Sequence, residues 1–575
     1  MAAPIATASE DITPRPDVVI MGTVTRRIQL EILVILAVTA YVLFEVWNTF
    51  SIQLSVCLTV CLCCQFLTLT LKTFLDNHQP HIRQLFRSKA DLGYVCSILV
   101  PLTVVADLVY ITKHNVFIDM LEWLDEYRKT LHDIVDIWGL DHRHKAQVFD
   151  HYMHSMLGCA FLVSYLATLG VISNRDRSKR LPFTCSLWTT SVLVTASGIA
   201  AGVILSMAGT IATTIAALVL SLLVFSVTFY LPNHLPRTFT LGELSCSVQL
   251  MAALLWKAVY VYTTTDITNF KIYSIDSLQT IIYVAIFVII ILYVLLPAHL
   301  HGERPWVFYV VFTCVSVVLV LPTSYMALGT DVVTWMFSSI FKHPKRVSLL
   351  MYWMVCSVVA AVFSLWQGSD TEGDRSNTIT RKSFHLVIVA VYIPGLIVDA
   401  QFLHLASVCA GAFLLLLEAV RVHTIPPLGQ YIDSSFKMFV DDKDEGRVIL
   451  THIYLLVGLS LPLWITSIRP INGALLPMYS GVISLGVGDT AASVGGVLFG
   501  QHKWPGSNKS LEGTVTCAIS QVLVLGSLIL TGVVSSPLSL SLVVAVILSS
   551  LFEAFTLQVD NLVLPLLTYS LLCMS

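Results

Sequence analysis

Residues 277–297 read SLQTIIYVAIFVIIILYVLLP, a stretch without a single Asp, Glu, Lys or Arg. A helix needs about 20 apolar residues to cross the ~30 Å hydrocarbon core of a bilayer. The run is continuous, with neither the period-2 alternation of a membrane strand nor the polar face of a surface helix. Similar runs cover nearly the whole chain, at 28–47, 51–71, 92–111, 156–173, 182–204, 206–231, 241–262, 277–297, 305–325, 347–366, 384–399, 402–420, 448–468, 473–500, 514–534, 537–556 and 558–574. The fold class is therefore all-α, a polytopic transmembrane helical bundle of about 15–17 spans, since several runs are short or fused.

Composition leads to the same class. Of 575 residues, 56% are hydrophobic and 12% charged, against about 25% charged in an ordinary soluble domain. Mean hydropathy is +0.80. A water-soluble globule, a coiled coil and a disordered chain are excluded. The 33 basic and 36 acidic residues leave a net charge of −3, so nothing points to nucleic acid. The 13 cysteines fall mostly inside apolar runs and read as small core residues.

Basic residues in short loops set orientation. Arg26 and Arg27, the segment from Arg83 to Lys89, Arg175 to Arg180, Arg237, Arg304, and Arg381 with Lys382 fall on one side under this span count. That side is assigned to the cytosol. Lys342, Lys345 and Arg346 break the pattern. The reading divides the chain into a polar N-terminal tail (1–27), an N-terminal transmembrane region (28–345) and a C-terminal transmembrane region (346–575). In the last, the loops turn polar and glycine-bearing. Segment 112–155 has Leu121, Leu124, Leu131, Ile134 and Ile137 near helical spacing, which suggests an interfacial amphipathic helix. Its His142, His144, His151 and His154 match no zinc spacing.

Chemistry concentrates in residues 486–514, GVGDTAASVGGVLFGQHKWPGSNKSLEGT. Asp489 lies inside or at the mouth of an apolar span, where a carboxylate is costly unless it meets a cation or a wet cavity. Gly486 and Gly488 either let helices pack closely or, with Gly506, Gly513 and the hydroxyls of Thr490 and Thr514, offer backbone N–H and O–H groups to a polyphosphate. Lys503 and Lys509 either mark a membrane face or neutralise phosphate charge. Asp489 is suited to Mg²⁺ bridging phosphate oxygens. No GxxxxGK[ST] occurs, so this is not a P-loop.

Three further clusters stand at span ends: Arg381 and Lys382 with His385; Glu418 to His452, with Arg421 and an acidic run at 441–445; and Glu553 with Gln558, Asp560 and Asn561. The loops after the tenth, twelfth and fourteenth spans are each two crossings apart, so they share one side of the membrane.

ITRKSFHLVIVAVYIPGLIVD (379–399), ILTHIYLLVGLSLPLWI (449–465), GVGDTAASVGG (486–496), KWPGSNKSLEGT (503–514) and FEAFTLQVDNLVLPL (552–566) together resemble the carboxy-terminal half of the eukaryotic dolichol kinase family. The likeness is ordered along about 200 residues. The first 345 residues fit by hydrophobicity and length alone. The resemblance implies an endoplasmic reticulum enzyme, multi-pass, with its site facing the cytosol. Such an enzyme moves the terminal phosphoryl group of CTP to dolichol, giving dolichyl phosphate for protein glycosylation and GPI-anchor synthesis. It further implies that 486–514 binds CTP. The roles expected from it are Asp489 on the metal, or less readily on the hydroxyl proton; Lys503 and Lys509 on the CTP phosphates; Arg381 and Lys382 on the transferred group; and Glu512, Asp560 and Asn561 completing the metal site.

Phytol-type prenol kinases and phosphatidate cytidylyltransferases carry related motifs and remain alternatives. An ion-coupled transporter is the alternative from another class, but no inverted repeat is visible and the polar residues gather at one face.

Overall fold

The computed structural model describes residues 16–49, pieces of 55–70, 86–87, 92–113, pieces of 227–264, pieces of 278–288, 306–328, 330–367, 374–437, 443–466, 475–505 and 507–575. The amphipathic segment and His-rich loop expected beyond residue 113, and the spans at 156–173 and 182–204, lie outside these residues. Among the described residues five helices are long and apolar enough to span a membrane, and six shorter apolar helices accompany them.

Helix α1 (Pro16–Thr49) begins well before the first apolar run, with Pro16 at its opening position; proline is suited to that place because its missing N–H has no helical partner there. The expected tail therefore becomes helical from residue 16. Ile35, Val38, Val42 and Val46 form a fully buried stripe, whereas Leu33, Leu36, Phe44 and Trp47 face outward. Both faces are apolar, as a helix between protein and lipid requires. Two acids on α1 are matched by partners: Cys96 Sγ donates to Glu31 Oε1 at 2.8 Å, and Lys113 pairs with Glu45.

A 3-10 turn (Tyr94–Ile98) leads into α2 (Leu99–Lys113), and α3 (Leu241–Thr264) follows. Next come α4 (Trp306–Cys314), a π-helical stretch (Val315–Val320) and α5 (Leu321–Leu328) as one rod, then α6 (Val332–Phe341) and α7 (Pro344–Gln367). The spans expected at 384–399 and 402–420 are two limbs of α8 (Asp374–Val422), broken at Asp399, whose φ of −158° and ψ of 87° are not helical. The Asp399 carboxylate caps the second limb by accepting from Phe402 N at 2.9 Å. Its other oxygen takes Arg346 Nε at 2.7 Å. Arg346 also donates to Ser339 O and Oγ. One of the three basic residues that break the orientation pattern, Arg346, is thus neutralised within the protein, whereas Lys342 and Lys345 are exposed.

After α9 (Gly429–Lys437) and α10 (Thr451–Ile465) comes a continuous span built of three pieces: a 3-10 turn (Leu476–Tyr479), a π-helical stretch (Val482–Asp489) and α11 (Thr490–Phe499). Helices α12 (Leu511–Leu530) and α13 (Leu540–Phe555) start at Ser510 and Ser539, whose hydroxyls accept from the backbone N–H three residues on. The last helix, α14 (Asp560–Met574), is buried from Asn561 to Met574. It packs against α1, α2, α10 and α13, so the N-terminal region surrounds the C-terminal helix instead of standing apart from it.

The α10–α14 contact is the tightest point of the bundle. A Cβ on Gly458 would stand 1.9 Å from the Asn561 carbonyl oxygen. Two backbones meet there, so neither can yield by a side-chain rotation. Gly458→Ala is expected to destabilise the protein by about 1–3 kcal/mol through overpacking. Thermal unfolding of the detergent-solubilised protein checks this; an unchanged midpoint would show that α10 and α14 separate freely.

Candidate functional site

The site is built where α14 begins. Asp560 and Asn561 open this helix, and the short turn before it follows directly on the end of α13, which carries Glu553. Lys443 reaches this turn from the chain before α10, placing Nζ 3.3 Å from Asp560 Oδ1 and 3.1 Å from the Gln558 carbonyl. Asn561 Nδ2 lies 3.4 Å from the Thr451 carbonyl. Asp444 caps the start of α10, accepting from Leu450 N and from the Thr451 backbone and hydroxyl.

The loop between α11 and α12 supplies the second lysine. It closes as a small hairpin: Lys503 and Ser510 form an antiparallel bridge, Trp504 N donates to Lys509 O, and Leu511 N donates to His502 O. Trp504 packs edge-on against Phe555 with ring centroids 5.0 Å apart. This closure carries Lys509 inward, where Nζ donates to Glu553 Oε1 at 2.6 Å and to the Glu553 carbonyl at 2.5 Å. Burial works to lower the Lys509 pKa. Glu553, and then Asp560 and Asp489, outweigh it, so the ammonium is held above its ordinary value. Lys509 thus feels three carboxylates from three elements.

Asp489 ends the π-helical stretch and is buried, 3% exposed. Its Oδ2 faces His385 Nε2 on α8 at 3.9 Å. The neighbouring Thr490 hydroxyl is buried and has no hydrogen-bond partner among the described residues. In apolar surroundings such a hydroxyl favours a ligand that can accept or donate a bond.

The expected residues separate accordingly. Asp489, Lys509, Asp560 and Asn561 gather, joined by Glu553 and His385 from the clusters marked at span ends and by Lys443 from the charged run at 441–445. Lys503 is exposed, on the outer side of the hairpin. Glu512 turns to its own loop, accepting from His502 N and pairing with His502 Nδ1 at 2.6 Å. The Thr514 hydroxyl accepts from Trp504 Nε1. Gly486 and Gly488 are close-packing positions: a Cβ on them would meet Val389 Cγ2 at 2.1 Å and Gln521 Nε2 at 2.4 Å. Gly513 faces the Ala492 carbonyl in the same way, at 2.7 Å. Arg381 and Lys382 lie in the first turns of α8, and their side chains, like Gly506, fall outside the described residues. Among the described residues no three His, Cys, Asp or Glu side chains form a ready-made metal cage.

The largest omission of the sequence reading is Arg87 with Glu243. Arg87 Nη2 donates to Glu243 Oε1 at 2.5 Å, with side-chain exposures of 3% and 0%. Glu243 also accepts from Val559 N at 2.8 Å and Thr240 N at 3.0 Å. Arg87 Nη1 donates to the Lys443 carbonyl at 3.2 Å. The Thr240 hydroxyl donates to Gln558 Oε1 at 2.5 Å. One buried ion pair from the N-terminal region therefore holds both pieces of chain that bear Lys443 and Asp560. An acid at the mouth of a span is the same signal that marked Asp489, and it was available at Glu243.

Fold and site together define a polytopic helical membrane protein with a cluster of carboxylates and lysines gathered at the start of its central helix. The family model for dolichol kinase matches residues 183–496, more than half of the chain, and the chain belongs to that family. It is 40% identical to the dolichol kinase of Bos taurus over 279 residues, 45% of this chain and 51% of that protein. It is 35% identical to dolichol kinase EVAN of Arabidopsis thaliana over 248 residues, 42% of each. It is 29% identical to dolichol kinase sec59 of Schizosaccharomyces pombe over 269 residues, 44% and 53% of the two chains. The chain spans about half the length of the curated relatives it matches. No solved structure matches it.

Breaking a buried ion pair leaves one charge without a partner and costs about 3–5 kcal/mol. Glu243→Gln is expected to lower stability on that scale. Arg87→Met combined with Glu243→Leu should recover part of the loss, because no lone charge remains. Unfolding curves of the three variants in one detergent check the order; a double variant no better than the single would exclude a charge-pairing origin.

Proposed function

We propose that this chain is a dolichol kinase of the endoplasmic reticulum membrane. It transfers the terminal phosphoryl group of CTP to the hydroxyl of dolichol, yielding CDP and dolichyl phosphate for glycosylation and GPI-anchor synthesis. The observation that carries the reading is the gathering of Asp489, Lys509, Lys443 and Asp560 at the N-terminal end of the buried helix α14. A lipid alcohol keeps its tail in hydrocarbon and its hydroxyl near the interface, so its phosphorylation needs a polar site at such an end. The site faces the cytosol, where the basic loops are assigned.

Phosphoryl transfer requires charge neutralisation and alignment more than covalent help. Lys509, whose ammonium is stabilised by its carboxylate neighbours, and Lys443 are each already held by a carboxylate, so they are oriented before a triphosphate arrives. His385, facing Asp489, is positioned to take the proton that the alcohol loses as its oxygen bonds to phosphorus and CDP departs. The Thr490 hydroxyl is available to donate to a phosphate oxygen. Mg²⁺ typically takes only one or two protein carboxylates, keeping waters and phosphate oxygens for the rest, and the buried Asp489 carboxylate beside an unpartnered hydroxyl fits that demand. Such an ion would neutralise charge developing on the phosphate oxygens. Asp489 with Asp560 would hold it. The turn of Glu512 back toward the exposed His502 supports a loop-fastening role in place of metal binding.

Membranes containing the protein are expected to move label from γ-labelled CTP into a lipid-soluble monophosphate when dolichol is supplied. Asp489→Asn should lower this by about 10²–10³-fold, the usual effect of removing one group that stabilises transition-state charge, with membrane insertion unchanged. Lipid labelling from α-labelled CTP instead would identify a cytidylyltransferase and remove the proposal.

A further inference from the structure

A cavity of about 490 Å³ lies between the α4 rod, the second limb of α8 and residues of 231–239 and 282–286, with Ile453 of α10 at its edge, within the ~300–1,000 Å³ range of small-molecule sites. Its walls are almost wholly apolar. Val311, Val315 and Val320 line it from the α4 rod, and Ala412, Leu416 and Ala419 from the second limb of α8. The cavity has a direction. From Ala412 to His423 the α8 wall climbs eleven residues, about 16 Å at 1.5 Å per residue, or roughly half of a ~30 Å hydrocarbon core.

Its upper end is polar and fastened. Glu418 lines the cavity there, and its carboxylate takes two bonds from Arg421, both 2.7 Å, and one from Ile449 N at 2.6 Å. Arg421 continues to Asp433 and to the Arg447 carbonyl. Val448 and Leu450 line this end. They belong to the same short segment that presents Lys443 to Asp560 and caps α10 through Asp444. A single stretch of chain, 443–451, thus separates the mouth of the cavity from the charged cluster. The lower wall includes the π-helical stretch at 315–320, a geometry that recurs at functional sites.

We infer that this cavity is the seat of the acceptor's isoprenoid chain, running from mid-bilayer to the segment 443–451, over which the hydroxyl reaches the charged cluster. The inference rests on the proposed kinase reading and adds to it a binding site and a chain-length sieve. A tail long enough to enter the cavity gains contacts with it, whereas a prenol of two or three isoprene units does not reach its floor.

Two measurements on the full-length protein test it. In the first, the wild-type chain in phosphatidylcholine vesicles is irradiated with a long polyprenol carrying a diazirine on its tail. Adducts are expected on residues 311–320 and 412–419, displaced by unlabelled polyprenol and not by extra phosphatidylcholine. Adducts elsewhere, or adducts displaced equally by phosphatidylcholine, would overturn the site; the second result would make the cavity a seat for ordinary bilayer lipid. In the second, Ala412→Phe and Ser316→Phe narrow the cavity. The ratio of kcat/KM for the long prenol to that for the short prenol is expected to fall about tenfold, the discrimination typical of one lost apolar contact region, with the KM for CTP unmoved. An unchanged ratio overturns the inference while leaving the kinase reading intact. If the wild type phosphorylates neither prenol, the kinase reading fails and the cross-linking result alone decides the cavity.

Discussion

A guanidinium and a carboxylate closed off from solvent, Arg87 and Glu243, set the geometry from which the rest follows. An ionic group in apolar surroundings cannot drift, because every displacement from its partner exposes an unsolvated charge. Glu243 spends its remaining capacity on Val559 N and Thr240 N, and Arg87 reaches the Lys443 carbonyl. The turn before α14 and the chain before α10 therefore share one reference point. Lys443 and Asp560 meet because their backbones are fixed to the same pair, not because their own weak, half-exposed attraction draws them together.

The central helix α14 makes this arrangement possible. It is buried on every side, so its first turn is carried rigidly by four surrounding helices. Charged side chains delivered from α8, the π-helical stretch, the α11–α12 hairpin and the end of α13 converge on a closely packed frame. Such rigidity serves a reaction limited by alignment and charge placement. The N-terminal region, chemically bland in sequence, contributes to this frame: α1 and α2 form part of the casing of α14.

Much of the bundle was legible because hydrocarbon is a demanding solvent. Spans announce themselves by length, and the boundaries at 347–366, 448–468, 514–534 and 537–556 coincide closely with α7, α10, α12 and α13. Asp489 was legible for the same reason, as an acid where acids are expensive. Pairings were not. Glu512 lies close in sequence to Lys509, yet the hairpin turns it back to His502 while Lys509 goes inward. That outcome depends on which side of a tight turn each residue occupies, which spacing alone does not fix. Arg87 sits in a basic loop, where a positive charge already has a sufficient explanation as a topology signal. Its partner is 156 residues away, beyond any local pattern. The glycines at 486 and 488 carry both readings in sequence; only the neighbouring Val389 and Gln521 reveal how little space surrounds them.

The two π-helical stretches connect these themes. Inserting one residue into a helical turn rotates everything beyond it by about 100° relative to an uninterrupted α-helix. At 482–489 that rotation falls just before Asp489, so a carboxylate on an otherwise apolar helix is aimed toward His385 within the protein instead of toward lipid. At 315–320 the cause is different. Pro322 has no N–H to offer the Val318 carbonyl, and the widened turn precedes it. There the altered wall borders the long apolar cavity. In water a polar loop would accomplish either task, but a bilayer leaves no such option, because exposed backbone has no partner in lipid. A widened turn changes direction and shape while keeping backbone groups hydrogen-bonded. That makes it a fitting device for a protein that must place a charge and a slot inside its apolar spans.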